Sequence, residues 1–154
     1  MKFKWNYIII PLTIAIVGYG GSLITNMGMT WYDTLSLPKT AQEGWFIGSV
    51  WTVIFILSAI SSLLFWNSKE KKSKALIALL IFNALLNVLW SGLFFGFHLI
   101  LWSVVEMIIL NIVNIAIVIL FWKKHRVSAI LWFPYIIWVA FATYLAYSVF
   151  SLNS

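Results

Sequence analysis

The stretch ALIALLIFNALLNVLWSGLFFG, residues 75–96, decides the fold class, because it is an apolar run long enough to cross a lipid bilayer. The hydrocarbon core requires about 20 apolar residues in one helix. Four more runs share this length and character, at about 6–27, 45–66, 100–122 and 128–150. The sequence therefore predicts an all-α integral membrane protein, a five-transmembrane-helix bundle that forms a single domain over 1–154, with an outer loop at 28–44.

Composition supports this prediction. Hydrophobic residues make up 63% of the chain and charged residues only 9%, and the mean hydropathy is +1.00. A soluble domain is typically about half apolar and about a quarter charged. The five runs use most of the chain, so any function must reside in the bundle or its loop.

The basic residues predict the orientation. Nine of the ten lie at helix ends that an odd number of spans places on one face: Lys2, Lys4, Lys69, Lys71, Lys72, Lys74, Lys123, Lys124 and Arg126. Only Lys39 lies opposite, so the positive-inside rule predicts an inner N-terminus and an outer C-terminus, in the cell membrane if the protein is bacterial. The basic charge thus reflects topology, and we expect no nucleic-acid partner.

The first helix begins like a secretory signal peptide, with basic residues before an apolar run and small residues at 20–22. We expect it to be retained, because the run continues to Met27 and its removal would disturb the charge asymmetry. The chain has no cysteine, which excludes disulfides and thiolate metal sites. His98 and His125 have no partner at metal-ligand spacing, so no metal site is predicted.

The ten tryptophans fall into two groups. Seven lie near predicted helix ends, as expected of an interfacial aromatic belt: Trp5, Trp31, Trp45, Trp66, Trp102, Trp122 and Trp132. Trp51, Trp90 and Trp138 lie well inside helices, where a buried indole N–H needs a partner.

In each of four predicted helices, the spacing of polar and aromatic residues places them along one face, which we call a stripe. The stripes are Trp51, Phe55, Ser58 and Ser62; Asn83, Asn87, Trp90 and Phe94; Pro134, Trp138 and Ala142; and Ala15, Gly18, Ser22 and Thr25. Two interpretations are open: these side chains join helices by hydrogen bonds, or they line a ligand pocket. We expect the first for Asn83 and Ser62, and a pocket in the outer half of the bundle around Asn87.

Glu106 is the only acidic residue within a predicted span. An intramembrane carboxyl group is a functional candidate by default. Near a helix N-terminus it can also be stabilised by the helix dipole alone. Its role is left open between these interpretations.

Three stretches together resemble the TspO family of bacterial tryptophan-rich sensory proteins and the mitochondrial translocator protein, the peripheral-type benzodiazepine receptor. They are WYDTLSLPKTAQEGWFIGSVWTVIF (31–55), NALLNVLWSGLFFG (83–96) and FPYIIWVAFATYLAYSVFSLN (133–153). The resemblance implies a five-helix bundle, usually dimeric, that binds tetrapyrroles, in particular protoporphyrin IX and haem, as ligands and requires no cofactor.

Carried over by position, the family's pocket corresponds to Trp51, Asn87, Trp90 and Trp138, with Trp31 and Tyr32 as its lid. The stripe residues Ser22, Phe55 and Ala142 complete the predicted ligand-binding set. The sequence departs from the family at Gln42-Glu43, where prolines are common, and no basic residue follows Tyr147 to complete the sterol motif. We therefore do not predict sterol binding.

Three functions are compatible with these residues. The first is a membrane receptor or sensor that binds tetrapyrroles. The second adds light-dependent and oxygen-dependent degradation of protoporphyrin IX, with Trp51 and Trp138 as redox participants, since the sequence carries no acid–base or metal-dependent catalytic set. The third is a transporter of porphyrins or other small hydrophobic ligands, although no inverted repeat supports it. A homodimer contact is predicted at Gly92-x-x-x-Gly96.

Overall fold

The computed structural model describes residues 4–70 and 73–154. They form α1 (Asn6–Tyr32), α2 (Gly44–Asn67), α3 (Lys74–Ser91), α4 (Ile100–Lys124) and α5 (Arg126–Asn153), and a short π-helix (Gly92–Gly96) continues α3. All five helices are long and apolar enough to cross a membrane, and the described residues include no strand. The predicted all-α five-helix fold is confirmed. Lys2, Lys71 and Lys72 lie outside the described residues.

The helices form a closed ring in the order α1, α2, α5, α4, α3, in which each helix packs against the next and α3 returns to α1. The end of the bundle that carries the 33–43 connection also holds the ends of α3 and α5 and the starts of α2 and α4. We call it the loop end. The described basic residues other than Lys39 lie at the opposite end.

Helix α1 is longer than predicted, so the loop expected at 28–44 spans only 33–43. In the extended part of α1, Gly28 lies so close to the π-helix that a Cβ atom at this position would collide with the backbone of Phe95. This close approach lets α1 run alongside the π-helix and stay helical through Tyr32. Trp31 and Tyr32, which were predicted in the loop, are therefore on the last turn of α1.

The third span covers Lys74–Gly96, which agrees with the predicted run at 75–96, but it is not one regular helix. Its α-helical part ends at Ser91, and the Phe97 N–H then donates to the Gly92 carbonyl oxygen five residues earlier, at 2.8 Å. This wider turn buries two successive aromatic residues, Phe94 and Phe95. A short connection follows in which His98 adopts a left-handed conformation, with φ of 58°.

Hydrogen bonds between buried side chains join the helices. Ser61 of α2 donates to the Ser128 carbonyl oxygen at 2.8 Å, and Ser128 of α5 donates back to the Ser61 carbonyl oxygen at 2.7 Å. Nearer the middle, the Asn114 Oδ1 atom accepts from Asn83 Nδ2 and from Trp132 Nε1, each at 2.9 Å. Asn83 thus joins helices, in agreement with the first interpretation of the stripes.

Trp132 does not belong to the interfacial belt in which the sequence placed it. Its side chain is only 3% exposed. The Asn114 oxygen on the neighbouring helix satisfies the indole N–H, so this tryptophan can be fully buried. The remaining belt residues outside the aromatic site, such as Trp45 and Trp102, are exposed as expected.

Candidate functional site

The deep tryptophans of three helices meet in one aromatic cluster centred on Trp51. The Trp51 ring centroid lies 6.4 Å from that of Trp90 and 6.4 Å from that of Trp138. Phe55 and Tyr135 complete its surroundings, at 5.6 Å and 6.0 Å. The rings of Trp138 and Tyr135 meet Trp51 edge to face, at interplanar angles of 88° and 84°. This is a favourable geometry for aromatic pairs.

The cluster extends toward the loop end through Phe94. Its ring stacks on Trp90 at 5.7 Å and meets the edge of Trp31 at 5.7 Å. Trp31 in turn stacks almost parallel on the imidazole of His98, at 4.0 Å and 13°. The two predicted lid residues thus cap the cluster from α1, since Tyr32 also contacts Phe94, at 6.1 Å.

Asn87 lies beneath the cluster, but its amide N–H groups are used within the protein. The Nδ2 atom donates to the Asn83 carbonyl oxygen at 2.8 Å and to the Tyr135 hydroxyl oxygen. A third contact, to Asn83 Oδ1, is 3.3 Å long. Asn87 therefore positions Tyr135 under Trp51, and its amide N–H groups are not free to orient a ligand.

The two other deep indoles have unused donors. Trp90 Nε1 and Trp138 Nε1 are buried and have no hydrogen-bond partner among the described residues. A buried N–H group without a partner is costly, typically by about 1–3 kcal/mol. Both donors lie at the aromatic cluster, where an acceptor from outside the chain could satisfy them.

The other predicted ligand-binding residues are distributed less closely. Phe55 belongs to the cluster, and Ala142 packs against the core one turn beyond Trp138. Ser22 is exposed and is not part of the cluster. Its neighbours Gly18 and Gly21 supply the inward contacts of this part of α1, to Phe55 and Ser91.

An open cleft of about 560 Å³ lies between α2 and α5. Trp138 forms part of its wall, and the remaining lining is almost wholly apolar: Gln42, Phe46, Val50, Val53, Ile54, Leu57, Pro134, Ile137 and Phe141. The cleft is within the size range of ligand pockets, about 300–1,000 Å³. Because Trp138 belongs to both the cleft wall and the aromatic cluster, the cleft borders the cluster at this residue.

Sequence reasoning did not identify Tyr135 as a site residue, nor any cleft residue other than Trp138. Tyr135 is 2% exposed and contacts Trp51, and only its place one turn before Trp138 could have suggested this. The cleft depends on α2 lying beside α5, which helical periodicity within a single helix does not determine.

These features define a multi-pass membrane protein with a tryptophan-rich site at the loop end of a five-helix bundle. The comparison with known families agrees, since the chain matches the TspO/MBR family over residues 8–152. The protein belongs to the TspO/MBR family.

Curated relatives resemble the chain over most of its length. The tryptophan-rich protein TspO of Bacillus cereus is 31% identical over 150 residues, which cover 97% of each chain. The TspO protein of Archaeoglobus fulgidus is 30% identical over 144 residues, 93% of this chain and 94% of the relative. The human translocator protein is 27% identical over 137 residues, 87% of this chain and 81% of the relative.

Proposed function

We propose that the protein is a membrane receptor or sensor that binds a tetrapyrrole, protoporphyrin IX or haem, at the aromatic cluster and needs no cofactor. The observation that carries the proposal is the position of Trp138, which joins the α2–α5 cleft to the rings around Trp51. A flat macrocycle that enters the apolar cleft would contact Trp138, whose ring packs against Trp51.

The chemistry of the site suits this ligand class. The apolar cleft walls would bury the macrocycle, and the indole faces would stack on it. The unpartnered N–H groups of Trp90 and Trp138 would donate to its oxygen atoms. Trp31 and Tyr32 would then close the site from the loop end.

Light-dependent degradation of protoporphyrin IX is a second element of the proposal. Trp51 and Trp138 are in edge-to-face contact, and indoles are the most readily oxidised side chains of the cluster. A light-excited porphyrin could take an electron from either indole and pass it to dioxygen, which would become superoxide. The indole radical would regain its electron from the macrocycle, and the oxidised macrocycle would combine with the superoxide, so the net reaction is oxygenation of the porphyrin by dioxygen. No acid–base group is required for such a step.

A titration of detergent-purified protein with protoporphyrin IX tests both elements when the Soret band is followed in darkness and then under light. Saturable binding in darkness is expected, and its absence would refute the receptor function. Light-dependent loss of absorbance would support degradation, whereas vectorial flux in liposomes would favour a transporter.

Phenylalanine variants separate stacking from redox chemistry. Trp51→Phe and Trp138→Phe retain an aromatic face, so each should weaken binding by no more than about 1.5 kcal/mol. At saturating porphyrin both should abolish degradation, because phenylalanine is far harder to oxidise. Degradation rates equal to wild type in the double variant would exclude the redox role.

We further propose that the chain forms a homodimer through the π-helix. Gly92 supports the dimer, because a Cβ atom there would meet nothing within 4 Å. Gly96 contributes less, since it already faces Ile24 of α1 at 3.7 Å. We also propose that the chain lies in the membrane with its N-terminus inside, because the basic helix ends lie opposite the loop end.

A further inference from the structure

Glu106 is a buried carboxyl group that the proposed function does not use. Its side chain is 4% exposed, on the face of α4 that also buries Ser103, Met107 and Leu110. Neither Glu106 oxygen has a hydrogen-bond partner among the described residues. Such a group costs stability, so its presence in the bundle calls for a reason other than folding.

Depth relates Glu106 to the unpartnered indoles. The bonds from Asn114 to Asn83 and Trp132 fix one common level on α3, α4 and α5. From that level toward the loop end, Trp90 lies seven residues from Asn83 along α3. Glu106 lies eight residues from Asn114 along α4, and Trp138 lies six residues from Trp132 along α5. At about 1.5 Å per residue, all three lie about 9–12 Å above it.

The Asn87–Tyr135 hydrogen bond supports this estimate of depth. Asn87 is four residues beyond Asn83, and Tyr135 is three residues beyond Trp132, which places both about 5–6 Å above the common level. They are indeed in contact. Trp90, Trp138 and Glu106 therefore lie at one depth of the bundle, and we call this level the open polar layer.

The charge state of Glu106 decides what this layer can bind. A carboxylate buried in an apolar interior without a cation or donor is strongly disfavoured relative to the neutral acid. The described lysine and arginine side chains belong to the helix ends and the loop, and Glu106 forms no ion pair with them. In its neutral form Glu106 would carry an O–H group, and the open polar layer would then offer three donors and, among the described residues, no cation.

We propose that Glu106, as a neutral acid, donates a hydrogen bond to a carboxyl oxygen of the bound ligand and makes the site selective for carboxyl-bearing tetrapyrroles. This inference rests on the proposed function. The indole N–H groups of Trp90 and Trp138 supply the other donors. An alkyl macrocycle without oxygen atoms would fill the apolar cleft equally well but would leave all three donors unsatisfied.

The test compares protoporphyrin IX with an octaalkyl porphyrin that has no oxygen atoms, by titration in darkness. Wild type should prefer protoporphyrin IX, and Glu106→Leu should reduce this preference by about tenfold or more. Glu106→Gln keeps a neutral donor of the same length and should stay within about threefold of wild type. Met107→Leu is the matched control, since it changes a fully buried neighbour and should leave the preference unaltered.

Thermal unfolding of the ligand-free variants provides a second readout. Glu106→Leu removes an unpartnered carboxyl group, so its midpoint should equal or exceed that of wild type. A lower midpoint together with equal loss of both porphyrins would show that the carboxyl group is structural, and would overturn the inference.

Other outcomes are equally decisive. If Glu106→Gln loses the preference as Glu106→Leu does, the carboxyl group does not act as a neutral donor. If both variants keep the wild-type preference, the inference fails while the proposed function stands. A wild type that binds neither porphyrin overturns both.

Discussion

Replacement of Asn114 by leucine tests whether the hydrogen bonds from Asn114 to Asn83 and Trp132, at the common level beneath the site, hold the bundle together. The Asn114 side chain is fully buried, and its Oδ1 atom accepts from both Asn83 and Trp132. Hydrogen bonds between transmembrane helices contribute about 0.6 kcal/mol on average and up to about 1.7 kcal/mol. Loss of two such bonds predicts a destabilisation of about 1–3 kcal/mol.

The Asn114 Nδ2 atom moderates this loss. It is buried without a partner among the described residues, so the substitution also removes an unfavourable group. We therefore expect Asn114→Leu to lower the free energy of unfolding by about 1–2 kcal/mol, as measured by denaturant titration in detergent micelles. Binding should weaken as well, because Asn83 supports Asn87 and Tyr135 beneath Trp51.

Asn111 provides the matched control on the same helix. Its Oδ1 atom is buried but accepts no hydrogen bond from the described residues, so Asn111→Leu should leave stability unchanged or raise it. Equal destabilisation by the two substitutions would refute the argument, because the loss would then follow from polarity or volume and not from the two bonds to Asn114.

Three further predictions concern topology, assembly and the loop. A membrane-impermeant thiol reagent should label a cysteine introduced at Ser154 but not one at Ser73 in intact cells, and labelling at Ser73 alone would mean that the bundle is inverted. Gly92→Leu should convert a dimer to monomer in cross-linking or analytical ultracentrifugation, whereas a surviving dimer would exclude this face. Asn153 holds the loop at Ser36 through two reciprocal bonds of 2.9 Å, so Asn153→Ala should accelerate amide exchange at Ser36 by about fivefold or more, and unchanged exchange would show that these bonds do not restrain it.

The number of helices and the depth of the key indoles could be predicted from the sequence. Apolar runs of spanning length identify helices, because lipid leaves the backbone few alternatives. Helical spacing identified Trp51, Trp90 and Trp138 as inward and deep, and the structure brings their rings together. Each of these properties depends on the residues of a single helix, so it can be predicted from the sequence of that helix alone.

Features that depend on two helices could not be predicted. The close packing of the end of α1 against the π-helix requires a residue without a Cβ atom at Gly28, opposite the backbone of Phe95. The burial of Trp132 requires Asn114 on a different helix, and the internal use of the Asn87 amide requires Tyr135. Each is a pairwise contact that composition and periodicity leave undetermined.

The arrangement of polar groups separates stability from binding along the bundle axis. At the level of Asn83, Asn114 and Trp132, polar side chains satisfy one another and join three helices. About 9–12 Å nearer the loop end, Trp90 and Trp138 carry donors that have no partner among the described residues. If the polar groups of this layer formed hydrogen bonds with one another, the layer would be more stable but would offer a ligand only apolar contacts. Under the proposed function, the unpaired groups of the open polar layer are available to a ligand, and the common level of Asn83, Asn114 and Trp132 beneath it holds the helices in place.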